Sequence, residues 1–513
     1  MSEREKMSAV DTAWLRMDRP SNLMMIVGIL ALSSQVDFKR LKRTVEFRLA
    51  MRFRRFRQRV QQDALGAWWE DDPEFDIDNH VIRRALPAPG SKMELQRLAS
   101  ELAAEPLNPS QPLWRFDFIE NYEGGAALVV RIHHCIADGI ALVGVMLSMT
   151  DLAADAAPPE PTPQNARHAH SKDPWLALLD PMTRASSALL GMTARFWTGY
   201  LNLLARPDEI MRLGKDGVGF VEELVKLLAM PADSPTRFKG RTGARKQVAW
   251  CEPIPLEDVK ALGKALGCSV NDVMLTAVAG ALRSYLIGRG DDVSDVQIRA
   301  LVPVNLRSDE DNGTLGNRFG MVTLLLPVYE GNPFARLFKL RERMLEMKDS
   351  YQPPLTLALL AVSGIAPKLV QEKFLDMLAN KASAVMTNVP GPRQPLYLAG
   401  SQITQIMFWV PQSGNIGMGV SILSYNNTVQ FGLITDRHFV PDPDALTPLF
   451  LSEFDRMLTA LMLHDWNQPL DPVALEQTIE AEMSLLPGRL RPVARRTRSV
   501  SAKQRMPKRF REL

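Results

Sequence analysis

Two adjacent histidines, His133 and His134, are followed after three residues by Asp138 and Gly139. A neutral imidazole can take a proton from a hydroxyl at neutral pH, where an alcohol is scarcely ionised, and such base catalysis contributes roughly 10²–10⁴-fold. Such a histidine pair is either two core histidines at a strand end or a base beside a ligand, and the added Asp and Gly at fixed spacing favour the second. Side chains alternate along a strand, so the two histidines are expected to face opposite ways, one toward a ligand channel and the other into packing. Cys135 is expected on the other face of the strand end and is not assigned as a nucleophile. Asp138 is read as an orienting group that bonds the turn or an arginine.

These groups need elements to hold them. The apolar run 126–132 reads as a buried strand, Asp138-Gly139 as a turn, and residues 140–152 as a helix. Ahead of them, Trp114 anchors the entry of a strand over 114–120, and Tyr122-Glu123-Gly124-Gly125 reads as a hairpin turn. Residues 8–17 form a short helix, followed by a strand near 23–28. Helical periodicity recurs over 38–51, 93–105, 256–266, 269–287, 333–347 and 444–463. Asn426-Asn427, between two apolar runs, fits a type I′ hairpin turn. His80 is read as structural. Residues 153–172 are rich in Ala and Pro and read as a linker, and 175–230 is helical in pattern.

The composition narrows the class. With 46% hydrophobic and 23% charged residues among 513, the chain has ample material for globular cores, and two or three domains are expected. Three scattered cysteines, Cys135, Cys251 and Cys268, argue against a disulfide framework. Neither a CxxC nor a zinc-like histidine spacing appears, so no metal is expected. No run reaches the length needed to span a bilayer, and 22–32 and 355–365, the most apolar stretches, fit buried elements. No secretory signal is visible at the start. Residues 487–513 hold ten Lys/Arg against one Asp/Glu; that +9, set against the whole chain's +3, leaves −6 elsewhere. This tail carries no nucleic-acid motif. Two basic stretches could contact phosphates: 52–60, which reads equally as a half-exposed strand or helix end, and 239–246, a glycine-rich loop that could equally be solvated.

The stretch His133-His134-x-x-x-Asp138-Gly139 resembles the HHxxxDG motif of the CoA-dependent acyltransferase superfamily. Pro112-Leu113-Trp114, Asn271-Asp272-Val273-x-Leu275 and Asn388-Val389-Pro390-Gly391-Pro392 resemble, in the same order, marks of the bacterial wax ester synthase/diacylglycerol acyltransferase family. The resemblance covers about residues 8–465.

It implies an α/β (α+β) fold of two lobes, each a mixed, mostly antiparallel sheet with helices, and a tunnel between them. The expected division is an N-terminal lobe at 1–155, a linker and helical connector at 156–235, a C-terminal lobe at 236–482 and a disordered basic tail at 483–513. The implied activity is transfer of a long-chain acyl group from acyl-CoA to a fatty alcohol or diacylglycerol. His134 is the implied base, with His133, Asp138 and Gly139 around it. Arg57, Arg59 and Arg307 are candidate partners of Asp138. Trp114, Asn271, Asp272 and Asn388 are expected to meet substrate, Asn271 near the oxyanion or in the tunnel wall. No cofactor is expected, acyl-CoA being a substrate. The expected location is cytoplasmic, either free or peripheral on the inner membrane or lipid droplets. The rival readings are a carrier-dependent condensation-type transferase and a non-catalytic lipid-binding protein on the same scaffold.

Overall fold

The computed structural model describes residues 4–63, 66–157, 214–306, 315–347, 350–366 and 368–464, with single positions at 471, 475 and 477. The histidine strand, Gly125–His133, is buried along its whole length. It pairs antiparallel with Met25–Leu32 on one side and Trp114–Tyr122 on the other, setting Met25 opposite His133 and Trp114 opposite Ile132. A strand buried on both faces has no polar side to alternate with, which is why 126–132 is nearly continuous in apolar residues. The hairpin before it turns at Glu123 (φ 48°) and Gly124 (φ 81°).

This six-stranded sheet runs from Tyr397–Leu398 through Ser401–Trp409, Met25–Leu32, Gly125–His133 and Trp114–Tyr122 to Val81–Arg84. Its pairs are antiparallel except the last. The division of the chain at 155 and 236 is thus not kept in space. Ser401–Trp409, from the second half, pairs with Met25–Leu32 and completes the N-terminal sheet. The second sheet has the path Phe319–Leu326, Ile298–Asn305, Ala384–Pro390, Met418–Tyr425, Thr428–Asp436 and Lys246–Trp250, with Ile254–Pro255 added on Thr428–Asp436. Parallel pairing is confined to its three central strands. Helices Val270–Gly288 and Leu446–Leu463 pack against each other in this lobe's core. Asn426 and Asn427 both lie at positive φ (46° and 59°), as a type I′ turn requires.

Among the described residues no single helix is long and apolar enough to cross a membrane. Leu256–Ala265 and Val270–Gly288 pass that test only as a pair bent by 99°, and the second is largely buried. Of the two most apolar stretches, the first is the fully buried strand Met25–Leu32. The second is the helix Gln352–Ile365, buried on one face only, with Val362 and Ile365 exposed. The connector before 214 and the basic tail lie outside the described residues.

Candidate active site

The histidine strand ends at His133, and the chain turns at once: the amide of Ile136 donates to the carbonyl of His133. The His134 amide instead donates to Met24 O (2.7 Å), which fixes this corner to the neighbouring strand. The two rings diverge as strand alternation requires. His133 Nδ1 accepts from the Cys135 amide at 3.1 Å, and its Nε2 lies 3.7 Å from Asp18 Oδ1, away from the cavity. His134 lines a cavity of about 830 Å³ between the two lobes.

The His134 ring is stacked on Trp14, with centroids 4.1 Å apart and planes 18° apart, and Phe319 covers it at 5.6 Å. Burial holds its pKa down, from an ordinary 6.5 to about 4, against the opposing pull of the Asp138 carboxylate. The imidazole is therefore neutral throughout the physiological range, the form a general base needs. Nδ1 is buried and meets no hydrogen-bond criterion among the described residues, while the ring itself lines the cavity.

Asp138 caps the helix Gly139–Ser148: Oδ1 accepts from the Ala141 amide (3.0 Å) and Oδ2 from the Arg318 amide (3.0 Å). One carboxylate thus binds the histidine turn to the segment that carries Phe319. Gly139 is the first residue of that helix and lines the cavity. The expected arginine partners are placed differently. Arg57 Nε donates to Ala50 O, and Arg59 pairs with Glu70. Arg307 lies outside the described residues.

Asn271 and Asn388 come together across the cavity wall, Asn388 Nδ2 donating to Asn271 Oδ1 at 2.9 Å. Asp272, beside Asn271, points elsewhere. It closes a capping box with Ser269, satisfying free amides at the start of Val270–Gly288, and does not line the cavity. Trp114 is likewise a core residue rather than a substrate contact. Its Nε1 donates to Phe56 O (2.8 Å) and its ring stacks on His80 at 4.5 Å, so an aromatic anchor and the structural His80 hold one another. Cys135 is fully buried outside the cavity lining, and burial pushes its thiol well up, so no thiolate is on offer. The basic loop 239–246 also lies off the cavity. Lys246 is buried against Asp436 (2.9 Å) and Asn22 Oδ1 (2.9 Å), and Lys239 reaches the carbonyl of Asn380.

Three residues of the site carry no motif visible in the sequence. Trp14, on the helix Ala9–Met17, supplies the stacking face for His134. Asn317 donates to both Asp11 Oδ1 (2.7 Å) and His134 O (2.8 Å), so a buried carboxylate and amide hold the histidine backbone. Burial raises the Asp11 pKa, chiefly by desolvation. Phe319 closes the other side. The one local signal was their setting: Trp14 lies on the opening helix, Asn317 lies just ahead of the strand Phe319–Leu326, and Phe319 opens that strand.

The chain matches two family models, the wax ester synthase/diacylglycerol acyltransferase catalytic domain over residues 7–274 and the WS/DGAT C-terminal domain over 315–458. It is 29% identical over 411 residues to the probable diacylglycerol O-acyltransferase tgs1 of Mycobacterium tuberculosis, covering 78% of this chain and 84% of that protein. It is 26% identical over 391 residues to the O-acyltransferase WSD of Acinetobacter baylyi, covering 73% and 80%. Its fold matches the wax ester synthase/diacylglycerol acyltransferase of Marinobacter aquaeolei with a TM-score of 0.62 at 21% identity, covering 90% of this chain and 99% of that one. With its two-lobed fold, its buried neutral histidine and both domain models in order, the chain belongs to the wax ester synthase/diacylglycerol acyltransferase family.

Proposed function

We propose that the protein transfers an acyl group from a long-chain acyl-CoA to the hydroxyl of a fatty alcohol or a diacylglycerol, with His134 as general base. The observation that carries this is the neutral His134 ring, clamped by Trp14 and set in a cavity lined mostly by apolar side chains such as Leu301, Met321 and Met347. Such walls suit an alkyl chain and exclude the water that would otherwise hydrolyse the thioester. His134 Nε2 takes the hydroxyl proton as the oxygen attacks the thioester carbonyl. The carbonyl π pair moves to oxygen and returns as the carbon–sulfur bond breaks. CoA leaves as thiolate and recovers the proton from the imidazolium. Asn271 lines the same cavity and no hydrogen bond from its Nδ2 is made among the described residues, which supports it as the donor to the oxyanion. Asp138 acts by holding the turn. Direct transfer needs no acyl-enzyme, which agrees with the burial of Cys135.

Purified protein with palmitoyl-CoA and either hexadecanol or dipalmitin, with thiol release followed, tests this reading. Absence of thiol release with every acceptor would overturn it. The water-insoluble acceptors support a further part of the proposal, that the protein works at a lipid surface inside the cell. The basic tail, which lies outside the described residues, has the charge for it, about 1 kcal/mol per Lys/Arg near an anionic surface. Deleting residues 487–513 is expected to lower co-sedimentation with anionic liposomes at low salt; unchanged sedimentation would contradict that role.

A further inference from the structure

One continuous segment, Thr387 to Gln394, lines the cavity from its buried interior to the exposed Arg393. Gly391 makes this course possible. A Cβ there would stand 2.2 Å from Ser424 O, so only glycine lets the two backbones pass. At the outer end two elements meet on the Asn426–Asn427 turn. Asn426 N donates to Pro392 O (2.9 Å), Asn427 Nδ2 to Arg393 O (3.1 Å), and Leu256 N to Asn427 O (2.9 Å). Leu256 opens a helix whose next turn presents Lys260, and both residues line the same cavity. Arg393 and Lys260 thus hang over one mouth from elements pinned to one turn.

Neither side chain makes a hydrogen bond or ion pair among the described residues. Lys260 carries the mark of this crowding: partial burial lowers its pKa first, the nearby Arg393 charge lowers it further, and Glu257 opposes both. Two like charges at the rim of an apolar cavity, neither in a direct ion pair among the described residues, form a receptor for a polyanion. We propose that Lys260 and Arg393 bind the phosphates of the CoA portion of the donor while its acyl thioester reaches inward to His134. This rests on the acyl-CoA reading above and locates the donor entrance, with the other cavity walls left to the alkyl chains. A phospholipid headgroup would offer the same phosphate chemistry, so the test must separate the two.

Titration of the full chain with CoA and with dephospho-CoA, which lacks the 3′-phosphate, reads the site without turnover. CoA binding to the wild type is expected to weaken about tenfold for each of Lys260→Ala and Arg393→Ala, more in the double variant, and steeply with salt. Lys260→Arg should restore most of it. Co-sedimentation with liposomes of phosphatidylglycerol should not change in the double variant. Equal CoA affinity in wild type and double variant would overturn the proposal, as would a wild type that does not bind CoA. Loss of liposome binding with CoA affinity intact would assign the pair to lipid headgroups and overturn it too. CoA binding lost in the double variant would support it even if thiol release failed, and that second failure would count against the acyl-transfer reading instead.

Discussion

Acid should destabilise this protein through His134 in a way a single substitution can isolate. The folded ring titrates near 4, against 6.5 for an unburied histidine. The unfolded chain therefore binds this proton first as pH falls, and stability is lost in that direction. The contribution is complete above about pH 6.5, declines at about 1.4 kcal/mol per pH unit, and is exhausted near pH 4, a total of about 3 kcal/mol. Urea melts of the wild type and His134→Gln between pH 7.5 and 4, at constant ionic strength, measure it. The wild-type curve should fall relative to the variant by that amount over that window. His80, whose pKa burial also lowers, and Asp11, whose raised pKa acts in the opposite sense, are common to both proteins and cancel. Parallel pH curves would refute the claim that His134 is held neutral by burial. The same reasoning puts the acid limb of kcat/KM near pH 4; a limb at 6.5 would contradict it.

Asp138→Ala is expected to cost about 1–3 kcal/mol of stability and to lower activity with it, since the Ala141 and Arg318 amides lose their acceptor; a normal melting temperature with no activity would mean direct chemistry by Asp138. Asn317→Ala should lower kcat more than it raises KM, because it frees the His134 backbone and leaves Asp11 without its amide; unchanged kcat would remove Asn317 from the positioning set. Cys135→Ser should keep most activity, and recovery of an acylated Cys135 peptide during turnover would replace direct transfer with a ping-pong route.

Much of this arrangement was legible because it is local. The strand–turn–helix around His133 and His134 follows from an apolar run, an Asp-Gly turn and period-3.6 residues, and the opposition of the two rings follows from strand geometry alone. Asn426-Asn427 announced its own turn. What the sequence hid is long-range. Ser401–Trp409 has strand-like residues, but nothing nearby says that it joins Met25–Leu32, more than 370 residues away in the chain. Trp14 and Asn317 reach His134 only through tertiary packing, which neither spacing nor periodicity records. Trp114 and Asp272 show the converse. Both stand in motifs, yet one is spent on core packing and the other on a helix cap. A motif marks residues that a fold needs together, and some serve the scaffold. The basic loop at 239–246 was a fair candidate by charge, but charge in sequence does not reveal that Lys246 is buried against Asp436.

The central claim is that the neutral His134 imidazole takes the acceptor's proton. The most direct measurement is thiol release from palmitoyl-CoA with hexadecanol by the His134→Gln protein, alongside its melting curve. A cooperatively folded variant with kcat reduced about 10²–10⁴-fold is the expected result. Wild-type turnover by that variant would contradict the account.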